Sequence, residues 1–311
     1  MEPFSYHEGQ RMVQREANSV RCADKLAPWV GPVVEFATIA DLIVMASLAE
    51  DGFQVAALSG PAPLVAARQE GADIVIGFPN ALGLRLPVGR RAGGIVINPA
   101  QARRSRISGL LDQRAEELVI RCQVGFTNCR KYMAPTASTG SAVHIGPTER
   151  RPLRLDDPWA IAAVAAAETA FLVTATPGAV ADVSHRGGHP GFLRYVPTPG
   201  TIEWTEYLGD GMFVSTGNLR IDGRFALLIL EFETGDALRL DGEATYTNIR
   251  ADRHERVDAL IQAGEPFPVQ GRMTANVRRA ERLIHFTEPR TRIPRKARIT
   301  SADTTEVQHP Q

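Results

Sequence analysis

Apolar positions along the chain fall into short runs punctuated by glycine, proline and Asx residues, not into long amphipathic stretches. Residues 33–46 read as a helix end running into a strand, with Ile39-Ala40-Asp41-Leu42-Ile43-Val44-Met45-Ala46 as the apolar stretch. Asp51-Gly52 supplies a tight hairpin turn. A strand over 53–58 follows, Ser59-Gly60-Pro61-Ala62-Pro63 breaks it, and 72–78, 93–98 and the alternating 117–124 add three more. Short strands with few long helices argue for a barrel or a sandwich. Ahead of them, 4–28 carries charges throughout, and a short helix over 10–25 is expected to pack as an arm on a core built elsewhere.

Residues 134–157 are rich in Pro, Ser, Thr and Arg and lack periodicity, which reads as a linker. Asp156-Asp157 then offers an N-cap to Pro158-Trp159 and a helix over the alanine-rich 160–170. From there the chain repeats its first half in outline. An apolar strand at 171–176 leads to a Gly turn, a second strand and a Gly-Pro break, with 188–193 lying against 59–65 and 225–232 playing the part of 93–98. The expected organisation is an arm and first barrel over 1–135, a linker over 136–157, a second barrel over 158–290 and a disordered tail over 291–311. Within the second half, 251–263 reads as a helix with charges on one face and 269–286 as further strand and helix material.

A length of 311 residues suits two domains, and 44% apolar with 23% charged residues is ordinary for a globular protein. Lys plus Arg equals Asp plus Glu at 35 each, which removes the broad basic field of a nucleic-acid binder, so any anion site is local. The N-terminus has neither a basic n-region nor an apolar h-region, and no apolar run approaches a membrane span, so a cytoplasmic location with no membrane partner is expected. Cys22, Cys122 and Cys129 are too few and too scattered for a metal site; reduced thiols are expected, with Cys22 and Cys122 as packing residues.

The densest chemical signal is Asp182-Val183-Ser184-His185-Arg186-Gly187-Gly188-His189-Pro190-Gly191-Phe192. A strand ending in an arginine beside two glycines lets backbone approach a ligand while a guanidinium offers forked donors, which suits an anionic cofactor; a Gly-rich hairpin with a solvated arginine is the plainer reading. Ser215-Thr216-Gly217-Asn218-Leu219 places short polar side chains and backbone N–H groups at a turn, either a phosphate seat or an ordinary hydroxyl turn. Arg103, Arg104 and Arg106 could reach a phosphate, but read better as a solvated strand edge. Cys129 beside Lys131 reads better as packing than as an activated thiol.

Taken in order, Phe171 to Ala175, the 182–192 cluster, Trp204, Tyr207-Leu208-Gly209, Gly217-Asn218-Leu219, 227–232 and 235–244 resemble the pyridoxamine 5'-phosphate oxidase-like, FMN-binding split-barrel proteins, and more narrowly their two-barrel, single-chain branch. Tyr6-His7-Glu8-Gly9 and Asn128-Cys129-Arg130-Lys131-Tyr132 resemble that branch's N-terminal and mid-chain motifs. The resemblance implies a mainly β fold, a β-barrel with peripheral helices used twice as tandem FMN-binding split barrels that form an intrachain pseudo-dimer. FMN is then expected in the groove between the barrels, with Ser184 and Arg186 beside the flavin, Gly187 and Gly188 allowing close approach, and Ser215, Thr216 and Asn218 at its phosphate. His185 and His189 are weak candidates for proton donors to a reduced flavin; no other catalytic residue is implied. The sequence departs from the family at Arg130 and at Gly223-Arg224-Phe225-Ala226, and Ala62-Pro63 stands where the second copy has Pro190-Gly191, so the first barrel's own groove is expected to be degenerate. The function implied is an FMN-dependent oxidoreductase acting on a small-molecule substrate. A deazaflavin F420-dependent reductase and a non-catalytic flavin- or haem-binding protein stay open, as does homodimerisation.

Overall fold

The computed structural model describes residues 5–25, 31–70, 73–79, 83–115, 117–176, 178, 180–196, 198–209, 211–249 and 267–294. The helix expected over 251–263 and most of the expected tail lie outside these residues. Three helices, α1 (Glu8–Glu16), α2 (Val20–Lys25) and α3 (Gly31–Ala37), precede the first strands. The arm is therefore two helices where one was expected: Asn18, at φ 52°, takes the left-handed conformation between them, which asparagine tolerates better than most residues.

The first half then runs β1 (Leu42–Ala49), β2 (Gly52–Ser59), β3 (Ala66–Glu70), β4 (Asp73–Pro79), β5 (Arg91–Asn98), β6 (Arg103–Arg114) and β7 (Glu117–Thr127). Three short strands come next, β8 (Thr136–Ser138), β9 (His144–Gly146) and β10 (Glu149–Leu153). The second half opens with α4 (Pro158–Ala165), capped by Asp157, whose carboxylate accepts from the Trp159 and Ala160 amides. It continues as β11 (Thr169–Ala175), β12 (Ala181–Gly187), β13 (Leu193–Tyr195), β14 (Thr201–Tyr207), α5 (Val214–Ile221), β15 (Arg224–Leu230), β16 (Ala237–Asn248) and β17 (Val269–Ile284), with β18 (Arg290–Arg292) beyond.

The strand order of the first half repeats in the second. The first sheet is ordered β3-β4-β7-β6-β5-β1-β2 and the second β13-β14-β17-β16-β15-β11-β12, the same path traced by seven successive strands in each half. Every pairing is antiparallel. The fold is mainly β, two curled half-barrel sheets with peripheral helices, as expected. The segment 136–157 is not structureless: β9 extends the first sheet beside β2, β10 joins the second beside β17, and β8 pairs with β18.

The continuous apolar runs have a packing cause. On β1, Leu42, Val44 and Ala46 face a core shared by both halves, while Ile43 and Met45 face the first sheet's own core. On β15, Ala226, Leu228 and Leu230 enter the shared core and Phe225, Leu227 and Ile229 the second sheet's own. Successive strand residues point to opposite faces, so a strand buried on both faces has no polar alternate. The two sheets touch most closely where β5 meets β12. A Cβ at Gly93 would lie 1.9 Å from the Ala181 carbonyl oxygen, so only glycine fits there.

Three further expectations are corrected. Arg103, Arg104 and Arg106 are not on a solvated edge: β6 is an interior strand between β5 and β7, and the Arg104 side chain is buried. The helix expected over 160–170 ends at Ala165, because Thr169 already pairs with Gly187 in the sheet. Residues 269–284 form one strand of 16 residues with no helical part, long enough to pair with β14, β16 and β10. Among the described residues no helix is long and apolar enough to cross a membrane.

Candidate functional site

The two halves meet at a cleft to which both contribute. β6 brings Arg104 and Arg106, the segment after β7 brings Cys129 and Tyr132, β12 brings His185, Arg186 and Gly187, β14 brings Glu206 and Tyr207, and the start of α5 brings Phe213, Ser215 and Thr216. Two structural features set its floor. Phe213, the residue before α5, sits at φ 53° and ψ 35°, a left-handed conformation that is costly for a bulky residue and turns the chain sharply into the helix. The first turn of α5 thereby meets the cleft, where the backbone amides of a helix start have no intrahelical acceptor.

α5 is fixed from behind by α1. A Cβ at Gly9 would lie 2.4 Å from the Gly217 carbonyl oxygen, and one at Gly217 2.3 Å from the Gln10 Cα, so the helices cross backbone to backbone at a glycine pair. Beside that crossing, Asn218 Oδ1 accepts from His7 Nε2 at 2.8 Å and from Gln10 Nε2 at 3.1 Å, while Asn218 Nδ2 donates to Thr174 Oγ1 at 2.9 Å. Two sequence motifs, His7-Glu8-Gly9 and Gly217-Asn218, are thus halves of one joint.

A chain of hydrogen bonds crosses the site. Arg106 Nη1 donates to both carboxylate oxygens of Asp182 at 3.1 Å, and Ser215 Oγ donates to Asp182 Oδ2 at 2.9 Å. The Ser215 proton is committed to that carboxylate, so Ser184 Oγ is the donor in the 2.7 Å contact between the two serines. Arg186 Nη1 donates to Ser184 Oγ at 2.8 Å, and its Nε donates to Glu206 Oε1 at 2.6 Å, which also accepts from Trp204 Nε1.

His185 is buried, and its Nδ1 accepts from Arg104 Nη1 at 2.6 Å. A guanidinium can only donate, so the neutral ring carries its proton on Nε2, which is buried without a partner. Burial, then the charges of Arg104 and Arg186, hold the imidazole well below its ordinary value. His185 is therefore a neutral ring near pH 7 and not an imidazolium acid. Arg104 Nη2 also donates to Cys129 Sγ at 3.5 Å. Along the cleft's edge Tyr132, Tyr207 and Phe267 form an aromatic cluster with centroids 4.9–5.2 Å apart.

Of the residues singled out from sequence, Arg186, Gly187, Ser215, Thr216 and His185 line the cleft. Ser184 lies behind Ser215 and Arg186, Gly188 packs against Phe192, and Asn218 belongs to the α1–α5 joint. His189 is exposed and stacked on Phe267, centroids 5.2 Å apart. Sequence reasoning set aside Arg104 and Arg106, and it quoted Asp182 and Tyr207 within motifs but gave neither them nor Glu206 a role in the site. A period-2 reading of 103–111 puts Arg104, Arg106 and Ser108 on the face opposite Ile107 and Leu111, but what that face meets is set by the other half of the chain. Cys22 is exposed and so is not a packing residue, whereas Cys122 is buried, which pushes its thiol up to about 11.

No protein-family model and no curated protein matches the chain. Similar solved structures include HupZ from Group A Streptococcus, 15% identical over 40% of this chain and 98% of its own, with a TM-score of 0.31. A Clostridium acetobutylicum protein related to general stress protein 26 of B. subtilis, of the pyridoxinephosphate oxidase family, is 12% identical over 42% of this chain and 90% of its own, with a TM-score of 0.27. The inhibitor of motility MotI/DgrA of Bacillus subtilis is 9% identical over 77% and 88%, with a TM-score of 0.21. Superpositions this loose decide neither ligand nor reaction.

Proposed function

We propose that the cleft between the two half-barrels binds FMN and that the protein is an FMN-dependent oxidoreductase acting on a small organic molecule. The observation that carries this reading is the convergence, on one cleft, of the α5 first turn with Ser215 and Thr216 and the side chains of Arg104, Arg106 and Arg186. A helix start with hydroxyls and arginines suits a phosphate. The Tyr132–Tyr207–Phe267 cluster offers an apolar edge to a ring system.

Bound FMN supplies hydride and electron transfer, and the protein's part is binding, orientation and electrostatic tuning. Thr216 and the α5 amides hold the phosphate, and Ser215 ties the helix start to Asp182. Arg186 is fixed by Glu206 and Ser184 and therefore acts as an oriented charge, not as a mobile anchor. His185, neutral and held by Arg104, adds no charge to the cleft wall. The Arg106–Asp182 pair joins the halves and keeps the groove walls in register.

The test is a fluorescence titration of the purified protein with FMN and with riboflavin. FMN is expected to bind at least about tenfold more tightly, since only it carries the phosphate, and Thr216→Val is expected to erase most of that difference. Equal affinities, or no binding of either, contradict the assignment.

A further inference from the structure

Arg106 stands in a wall with a space on each side. One is the cleft; the other is a separate chamber of about 240 Å³ between β6 and β7 of the first half, β12 of the second and the start of α1. Ile107, Val124, Phe126, Val180, Ala181 and Val214 give it an apolar side, and polar side chains including Asp182 line the rest. Into this setting comes a guanidinium that is largely unused. Arg106 spends a single nitrogen, Nη1, on Asp182, and its Nε is buried with no partner. The group lies over the ring of Phe126, 5.4 Å from the centroid, and Phe126 borders the chamber but not the cleft. A second cation, the exposed Arg91, also lines the chamber.

We propose that this chamber is a binding site for small aromatic carboxylates. A ring fills the apolar walls, and the carboxylate accepts a charge-assisted hydrogen bond from Arg106 Nη2. Asp182 engages only Nη1 of the guanidinium, which leaves Nη2 for the ligand. The volume admits a molecule of one ring, smaller than the drug-sized ligands of typical pockets. This assignment is independent of whether the cleft binds flavin.

Isothermal titration of the flavin-free protein with benzoate, and with benzamide as its neutral counterpart, tests it. Benzoate is expected to bind at millimolar concentration or below, and benzamide about tenfold more weakly or worse, the loss of a charge-assisted hydrogen bond. Val124→Trp, which fills the chamber from its apolar wall, is expected to abolish benzoate binding. Arg106→Gln is expected to weaken it about tenfold, and the Arg106→Gln/Asp182→Asn pair serves the same purpose if the single change unfolds the protein. No binding of benzoate to the wild type, equal binding of benzamide, or wild-type binding by the folded Val124→Trp protein overturns the proposal. A parallel FMN titration reports on the cleft, so failure of one site is distinguished from failure of the other.

Discussion

The guanidinium of Arg106 on β6 meets the carboxylate of Asp182 on β12, and with it one half of the chain is ionically bound to the other. Both side chains are nearly buried, at 13% and 12% exposure. Removing one partner leaves the other charge uncompensated in a poorly solvated place, which costs more than the pair itself contributes. Asp182→Ala is therefore expected to lose about 3 kcal/mol in urea unfolding, and Arg106→Gln/Asp182→Asn to recover much of it. A single change without effect would show that the pair is solvated in solution.

His185 gives the protein a pH dependence of defined sign. Its folded pKa is held below the ordinary 6.5, so the unfolded chain takes up a proton that the native state refuses. The stability this contributes is fully present above 6.5 and is lost as pH falls from there toward the folded value. Asp41 and Asp241, whose carboxyl groups burial raises, act in the opposite sense at lower pH. The thermal midpoint is expected to fall between pH 7 and 5.5 more steeply in the wild type than in His185→Gln, whose amide oxygen still accepts from Arg104. Parallel melting curves over that interval exclude a neutral buried His185.

The α1–α5 joint predicts a large effect from one methyl group. Gly217→Ala puts a Cβ into the Gln10 backbone, where no side-chain rotation relieves it, and is expected to cost about 1–3 kcal/mol. It is also expected to weaken FMN binding, since α5 carries Ser215 and Thr216. A stable variant with unchanged FMN affinity would mean that α1 does not position the cleft.

Much of this architecture was legible in the chain, and the reasons it was not fully so are physical. Apolar runs at Leu42–Ala49 and Arg224–Leu230, turn residues at Asp51-Gly52 and the Asp157 cap are local signals, and the strands, the hairpin and the start of α4 formed at them, while α4 ends sooner than expected. The repeated strand order was visible because short strands and turns follow one another in the same succession in both halves. Two kinds of feature were hidden. The strand β3, whose residues Arg68 and Glu70 are charged, is not apolar and is held by pairing with β4 and an Arg68–Glu117 ion pair. The second kind depends on the partner half: Arg104 and Arg106 look like a solvent edge until β12 supplies His185 and Asp182 opposite them. Asn218 likewise looks like a ligand residue until α1 is seen packed upon it.

The most direct measurement is the absorption spectrum of the purified, untagged protein, followed by denaturation and mass identification of any released small molecule. Paired near-ultraviolet and blue bands with FMN in the supernatant are the predicted result. A Soret band would assign the cleft to haem instead, and a featureless spectrum unchanged by added FMN would contradict a flavin site between the two half-barrels.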